Sequence, residues 1–290
     1  MGWSICYNYS RNGVFLTHRI LITGATGFVG RQVLKALQNQ TNNITLVVRP
    51  GWKDKVENPK GIAKVFETKD LFKESAKWWA NTCKNIDIII HLAWYLEPGK
   101  YFMSDKNLDC LTGTLNLAKG AIEASVRRFI GIGTCLEYDL KSGILSIDTP
   151  LMPLTPYAAT KAAAYLALSQ LLFQKNIEFA WCRLFYLYGD GENKKRLVPY
   201  IRNQIKIGQA VELTSGNQIR DFMDVKDAGK KIALVSISHS KGPINICSGI
   251  PITVREIAEK IADEYGRRDL LKFGVRQDNL TDPNCVIGEA

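Results

Sequence analysis

The chain has 290 residues, is 46% hydrophobic and 23% charged, and carries 38 Lys and Arg against 28 Asp and Glu, a formal charge of +10. That length and apolar content suffice for a sizeable core, as two domains or one large α/β unit, and argue against disorder. No apolar run reaches the roughly 18 residues of a membrane-spanning helix. Residues 1–17 lack the continuous apolar segment and cleavage pattern of a signal peptide.

The basic residues form only short runs, Lys194-Lys195-Arg196, Lys230-Lys231 and Arg267-Arg268, without interleaved aromatics. They read as solvated faces, which argues against a nucleic-acid partner and is compatible with a small anionic substrate. Seven cysteines, odd in number, widely spaced and without a CxxC pair, read as reduced thiols of a cytoplasmic protein. Three histidines without ligand spacing argue against a catalytic metal.

In chain order, residues 19–23 form a short apolar strand. Residues 28–37 place Val29, Val33, Leu34 and Leu37 on one helical face. Residues 44–48 are a β-branched strand, and 62–66 a weaker one. Residues 86–91 are almost continuously apolar, as in a strand covered on both faces. A helix over 108–124, a strand over 128–134, a long Ala/Leu helix over 157–173 and a strand over 179–185 follow. This alternation predicts a doubly wound parallel sheet with helices on both faces. After residue 190 the pattern becomes mixed: helices over 197–207, 225–238 and 254–265, and short strands over 211–213, 221–225 and 243–247. The expected organisation is an N-terminal extension (1–18), the doubly wound domain (19–190) and a smaller mixed lobe (191–290).

Gly24-Ala25-Thr26-Gly27-Phe28-Val29-Gly30 joins the first strand to the first helix. Gly24 permits the tight turn, Gly27 lets backbone N–H groups approach a pyrophosphate, and Gly30 allows close helix–strand packing. The helix start favours the anion, which makes Gly24, Thr26, Gly27, Phe28 and Val29 cofactor-binding candidates. The second strand ends in Val48-Arg49-Pro50 with no acidic residue to accept from a ribose 2′-hydroxyl. A guanidinium suits a 2′-phosphate, so Arg49 points to NADP rather than NAD. Tyr157 and Lys161 stand four apart at the start of a helix, hence on one face. A nearby ammonium stabilises a phenolate, which is expected to lower the Tyr157 pKa for acid–base work.

The GxxGxxG turn and the Tyr-x-x-x-Lys pair resemble the extended short-chain dehydrogenase/reductases, the nucleotide-sugar epimerases, dehydratases and reductases, over residues 19–285. The resemblance implies a doubly wound Rossmann domain with a smaller mixed substrate lobe. It implies that Asp70 and Leu71 hold the adenine, that Leu92 and Ala93 pass the nicotinamide ribose, and that Lys161 bonds that ribose. Thr134, four residues before Tyr138, is implied to orient the reacting oxygen, which completes a catalytic trio with Tyr157 and Lys161. Trp94, in place of a smaller residue, is expected to wall the sugar pocket. His91 reads as a core residue. Tyr186 stands at the Asn position of the family's Arg-x-x-Asn-x-Tyr-Gly stretch that begins at Arg183. Arg196 and Arg220 match later substrate-binding landmarks, and Arg220 is the expected anchor of a sugar-nucleotide diphosphate. Cys110 stands where relatives carry Asn.

The family's 4,6-dehydratases carry Asp-Glu directly after the Thr; here stand Cys135 and Leu136. Leucine can neither give nor take a proton, so dehydration is disfavoured, Glu137 reads as structural, and Cys135 as a packed thiol. The resemblance then implies NADPH-dependent reduction of a keto group on a nucleotide-activated sugar, a 4-keto-6-deoxyhexose. An NAD-dependent 4-epimerase is the alternative reading, and a non-catalytic cofactor-binding protein a second one. The expected partner is a nucleotide-sugar; no membrane is involved, and a homodimer is left open.

Overall fold

A computed structural model describes residues 18–38, 41, 43–52, 60–279 and 282–290. All but His18 of the expected N-terminal extension lies outside the described residues.

The chain runs β1 (Ile20–Thr23), α1 (Phe28–Leu37), β2 (Ile44–Val48), β3 (Ile62–Glu67), α2 (Ala76–Thr82), β4 (Ile88–His91), α3 (Lys106–Glu123) and β5 (Arg128–Thr134). It continues through β6 (Ile144–Leu145), α4 (Pro156–Gln174), β7 (Glu178–Leu184), β8 (Tyr186–Tyr188), α5 (Leu197–Lys206), β9 (Val211–Glu212) and β10 (Ile219–Asp224). It closes with α6 (Val225–Ile237), β11 (Gly242–Ile246), β12 (Pro251–Thr253), α7 (Val254–Asp263), β13 (Leu271–Lys272) and β14 (Cys285–Gly288).

Seven strands form one parallel sheet in the order β11-β7-β5-β4-β1-β2-β3. The order reverses direction beside β1, as in a doubly wound fold, which places a crevice at the carboxyl ends of β1 and β4. Side chains alternate between the two faces. Ile20, Ile22, Ile88, Ile90, Ile130, Ile132 and Cys182 pack with α1 and α6. Leu21, Ile89, Phe129, Phe179 and Trp181 pack with α2, α3 and α4. Both faces are therefore apolar, which is why these strands read as continuous hydrophobic runs rather than alternating ones.

A smaller sheet has the order β12-β10-β14-β6, with β8 beside β10, and β13 pairs with β9. Around these, α5 and α7 close a separate apolar cluster on Ile201, Ile205, Ile257 and Ile261. The chain crosses residue 190 in both directions. Helix α6 and strand β11 return to the large sheet, while β6 and β8 pair in the smaller one. Among the described residues no helix is long and apolar enough to cross a membrane.

Candidate active site

Gly24 has φ +75°, and a Cβ there would lie 2.7 Å from the Ala93 backbone nitrogen. A Cβ on Gly30 would sit 2.0 Å from the Gly24 carbonyl oxygen. The turn between β1 and α1 thus lies directly against the Leu92-Ala93 backbone at Gly24, with no room for a side chain at Gly24 or Gly30. Gly27 is the N-cap of α1 and offers no side-chain acceptor, and no acidic residue occupies the first turn. Helix N–H groups are left for an outside anion at the positive end of the helix dipole. Thr26, Phe28 and Val29 lie half-buried in this turn. The cradle and its donor set fit the pyrophosphate of a dinucleotide.

Arg49 follows β2 directly, is exposed, and lies 5.1 Å from the centre of the Trp52 ring. Glu67, at the end of β3, braces this turn by accepting from the Gly51 N–H at 3.2 Å. The Asp70 carboxylate accepts from the Phe72 N–H at 3.0 Å, which fixes the turn that carries Leu71.

His91 is buried at the end of β4, its ring nitrogens 2.8 Å from Thr23 Oγ1 and from Thr114 Oγ1. Thr114 already donates to the Cys110 carbonyl at 2.8 Å, so it accepts from His91 Nε2, and Nδ1 accepts from Thr23. Burial, then the Lys161 charge, pull the imidazole down to about 3. It is a neutral cross-link between β1, β4 and α3, in agreement with the core reading.

The long helix α4 starts cleanly because Thr155 caps it, accepting from the Ala158 N–H at 3.2 Å, and Pro156 occupies its first turn. This sets Tyr157 and Lys161, both buried, on the face turned towards β5. Lys161 Nζ donates to the Ile132 carbonyl at 2.6 Å and lies 3.7 Å from the centre of the Trp94 ring. Burial pulls this ammonium down to about 7, against the attraction of Glu137 and Cys110. Thr134 ends β5; its hydroxyl accepts from the Leu136 N–H at 3.3 Å and is near enough to Tyr157 to favour its phenolate. The structure therefore brings Thr134, Tyr157, Lys161 and Trp94 together at the carboxyl edge of the sheet.

The expected lowering of the Tyr157 pKa is not found. Burial raises it well above the ordinary phenol range, helped by Tyr101, Glu137 and Cys135, with only Thr134 acting the other way. Desolvation of the phenolate outweighs hydrogen bonding here.

Glu137 is completely buried behind this trio. Its carboxylate accepts from Thr134 N at 2.8 Å, from Trp181 Nε1 at 3.1 Å and from Arg183 Nε at 2.8 Å. Room for it exists because Gly131 and Gly133 carry no side chains: a Cβ on Gly133 would meet Trp181 Nε1 at 2.2 Å and Glu137 Oε1 at 2.3 Å. Burial pushes the Cys135 thiol up to about 12, so it stays protonated. Both residues behave as their structural readings expect.

In the smaller lobe Arg220 is buried at one end of β10, 5.3 Å from the Tyr186 ring centre. Its Nη1 donates to the Ile219 carbonyl at 2.9 Å; Nη2 lies 2.7 Å from Asp282 Oδ2 without the alignment of a hydrogen bond. Arg196 is exposed, with Nε 3.2 Å from Glu192 Oε1. Burial raises the Tyr186 phenol. Cys135 lies within electrostatic reach of Tyr157, Tyr186 and Arg220, and so marks where the two lobes meet.

Sequence reasoning missed several neighbours of the site. Tyr101 stands edge-on to Tyr157, ring centres 4.9 Å apart, with Phe102 at 6.0 Å. Asn107, buried in the first turn of α3, lies just before the helix expected over 108–124 and gave no signal in the sequence. A cleft of about 440 Å³ in the smaller lobe is lined by Lys195, Tyr200, Thr214 and Arg276, whose Nη2 donates to Tyr200 Oη at 2.8 Å. A larger cleft of about 640 Å³ lies at the opposite, amino edge of the sheet beside Arg127 and Glu178, away from every candidate residue.

Residues 20–247 match the model of the NAD dependent epimerase/dehydratase family. The chain is 26% identical over 278 residues to the dTDP-6-deoxy-L-talose 4-dehydrogenase (NAD(+)) of Aggregatibacter actinomycetemcomitans, covering 93% of this chain and 98% of that one. Its fold is similar to that of the UDP-N-acetylglucosamine 4-epimerase of Methanobrevibacter ruminantium M1 in complex with UDP-N-acetylmuramic acid, with a TM-score of 0.83, 21% identity, and 94% and 89% of the two chains covered. It is also similar to MoeE5 in complex with UDP-glucuronic acid and NAD, at a TM-score of 0.77 and 25% identity, covering 93% and 89%.

Proposed function

The chain belongs to the NAD dependent epimerase/dehydratase family, and from that premise we propose that it reduces a keto group on a nucleotide-activated sugar, an NDP-4-keto-6-deoxyhexose, with NADPH. One observation argues against dehydration: among the described residues no carboxylate beside Tyr157 is free of other partners. Glu137 is committed to Thr134, Trp181 and Arg183, and Leu136 stands where a dehydratase needs an acid. Such a site can exchange a carbonyl for an alcohol but offers no free carboxylate to take a proton from carbon.

The residues act as follows. The Gly24–Gly30 turn and the start of α1 hold the pyrophosphate, Asp70 and Leu71 the adenine, and Leu92, Ala93 and Lys161 the nicotinamide ribose. The dinucleotide, when bound, supplies the hydride. Thr134 orients the sugar oxygen beside Tyr157. Because burial keeps Tyr157 protonated, it is ready to give its proton to that oxygen as negative charge develops on it. The Lys161 ammonium then stabilises the phenolate. In the substrate lobe, Arg220 and Arg196 suit the diphosphate, and Trp94 and Tyr186 suit the sugar. The cleft with Lys195, Tyr200 and Arg276 suits the nucleotide end by charge and stacking.

The similarity to a 4-dehydrogenase of a 6-deoxy sugar supports this reading, because oxidation at that carbon is the reverse of the reduction proposed. That relative's name specifies NAD(+), and MoeE5 was solved with NAD. The preference for NADPH therefore rests on Arg49 alone. The 4-epimerase reading draws support from the similar solved epimerase. Intact Tyr157 and Lys161 stand against a non-catalytic protein. The test is a panel of 4-keto-6-deoxy sugar nucleotides followed at the NADPH absorbance. Turnover on one of them, reduced about 10²-fold or more in Tyr157→Phe, is expected. Turnover on none, or an unimpaired Tyr157→Phe, overturns the proposal.

A further inference from the structure

We propose that Trp94, locked in place by Asn107, is a positioning residue for the Lys161 ammonium. This rests on the reading of Lys161 as part of the reacting site.

Lys161 Nζ lies 3.7 Å from the centre of the Trp94 ring, close enough for strong attraction to the ring face. The second indole nearby, Trp181, is at 5.9 Å. The other groups around the ammonium are the Ile132 carbonyl on β5, Glu137 in the turn after β5, Cys110 on α3 and neutral His91 on β4. Burial opposes the charge, so each attraction bears on whether Lys161 stays an ammonium.

Trp94 sits in an irregular segment after β4, where no backbone ladder fixes its ring. Its Nε1 donates to Asn107 Oδ1 at 2.9 Å. Asn107 is fully buried, and its Nδ2 donates to the Tyr101 carbonyl at 2.6 Å and the Ser104 carbonyl at 2.8 Å. A flipped amide would set its N–H groups against the indole N–H and its oxygen against two carbonyls, so only one orientation satisfies the site. The same amide therefore anchors two supports. One is the indole on Lys161; the other is the turn that holds the Tyr101 ring edge-on to Tyr157.

The test is a titration of the full-length protein with ¹³Cε-labelled lysine, the Lys161 signal being assigned by its loss in Lys161→Arg. In the wild type the Lys161 ε-methylene protons should lie upfield of those of the other lysines, shifted by the Trp94 ring. In Trp94→Leu the midpoint should fall by about half to one and a half pH units, because a cation–π contact is worth about 0.5–2 kcal/mol. Asn107→Ala, which keeps the indole but releases it, should shift the midpoint the same way by less. An unshifted midpoint in folded Trp94→Leu overturns the proposal. If that variant does not fold, absence of the upfield signal in the wild type overturns it equally. The titration needs no substrate, so it fails separately from the proposed reaction, whose own control is the turnover of Lys161→Met.

Discussion

The Glu137 carboxylate accepts a hydrogen bond from Arg183 Nε at 2.8 Å with both side chains out of water, 0% and 1% exposed. The pair lies directly behind Thr134 and under Trp181, and Arg183 Nη1 also donates to Tyr138 Oη at 2.9 Å. Desolvating both ions is costly, and their mutual bond offsets it together with those from Thr134, Trp181 and Tyr138. Removing one partner is therefore worse than never having had the pair. Glu137→Ala should lower unfolding free energy by about 3–5 kcal/mol, read from urea denaturation. A midpoint equal to the wild type would show that the arginine finds other company.

A second ion pair makes a pH prediction. Asp87, at the entry to β4, accepts from Arg19 N at 2.9 Å, Arg19 Nε at 3.0 Å and Arg19 Nη2 at 2.8 Å. Those bonds hold its carboxyl down at about 2. A folded-state pKa below the unfolded one means a stabilising contribution that is complete above the usual carboxylate range. It is lost as pH falls from there towards about 2. Asp87→Asn should remove that part of the acid limb, so that variant and wild type converge in stability at the lowest pH. A stability gap that persists undiminished at pH 2 would contradict the assignment.

Gly30 tests the cradle. A methyl group there would enter the Gly24 carbonyl at 2.0 Å, and neither backbone can withdraw without opening the turn. Gly30→Ala should weaken dinucleotide binding by calorimetry about 5- to 150-fold, since overpacking of this kind typically costs about 1–3 kcal/mol. Unchanged affinity would mean that the turn does not form the binding surface.

Much of this frame was legible in the sequence, and what was not shares a cause. Strand β5 matches its expected range, 128–134, and α1 its range, 28–37, because a buried run or an amphipathic face declares itself locally. The glycine turn and the Tyr157/Lys161 pair were readable because their spacing is local too. Strands β6, β8, β12, β13 and β14, of two to four residues, went unseen, as did the seven-residue helix α2. A strand of two residues has no period, and β14 pairs with β6 across more than 140 residues, Ile287 against Ile144. The role of Asn107 depends on which indole and which carbonyls surround it, and the rise in the Tyr157 pKa depends on burial. Neither quantity is carried by spacing.

Arg49 tests the cofactor choice. If its guanidinium pairs with a 2′-phosphate, Arg49→Ala should weaken NADPH about 10- to 150-fold while leaving NADH nearly unchanged, the worth of a charge-assisted contact. Competitive titration of both cofactors checks this. An equal loss for the two would remove Arg49 as the discriminator and favour NAD.

The central claim, net reduction rather than epimerisation, is tested most directly by stoichiometry. Purified protein, stripped of any bound dinucleotide and supplied with NADPH and a 4-keto-6-deoxy sugar nucleotide, should consume one NADPH per sugar reduced, and the cofactor should exchange freely. Protein that arrives carrying one tightly held NAD per chain, and that interconverts 4-hydroxyl epimers with no cofactor added, would contradict the account and establish the epimerase.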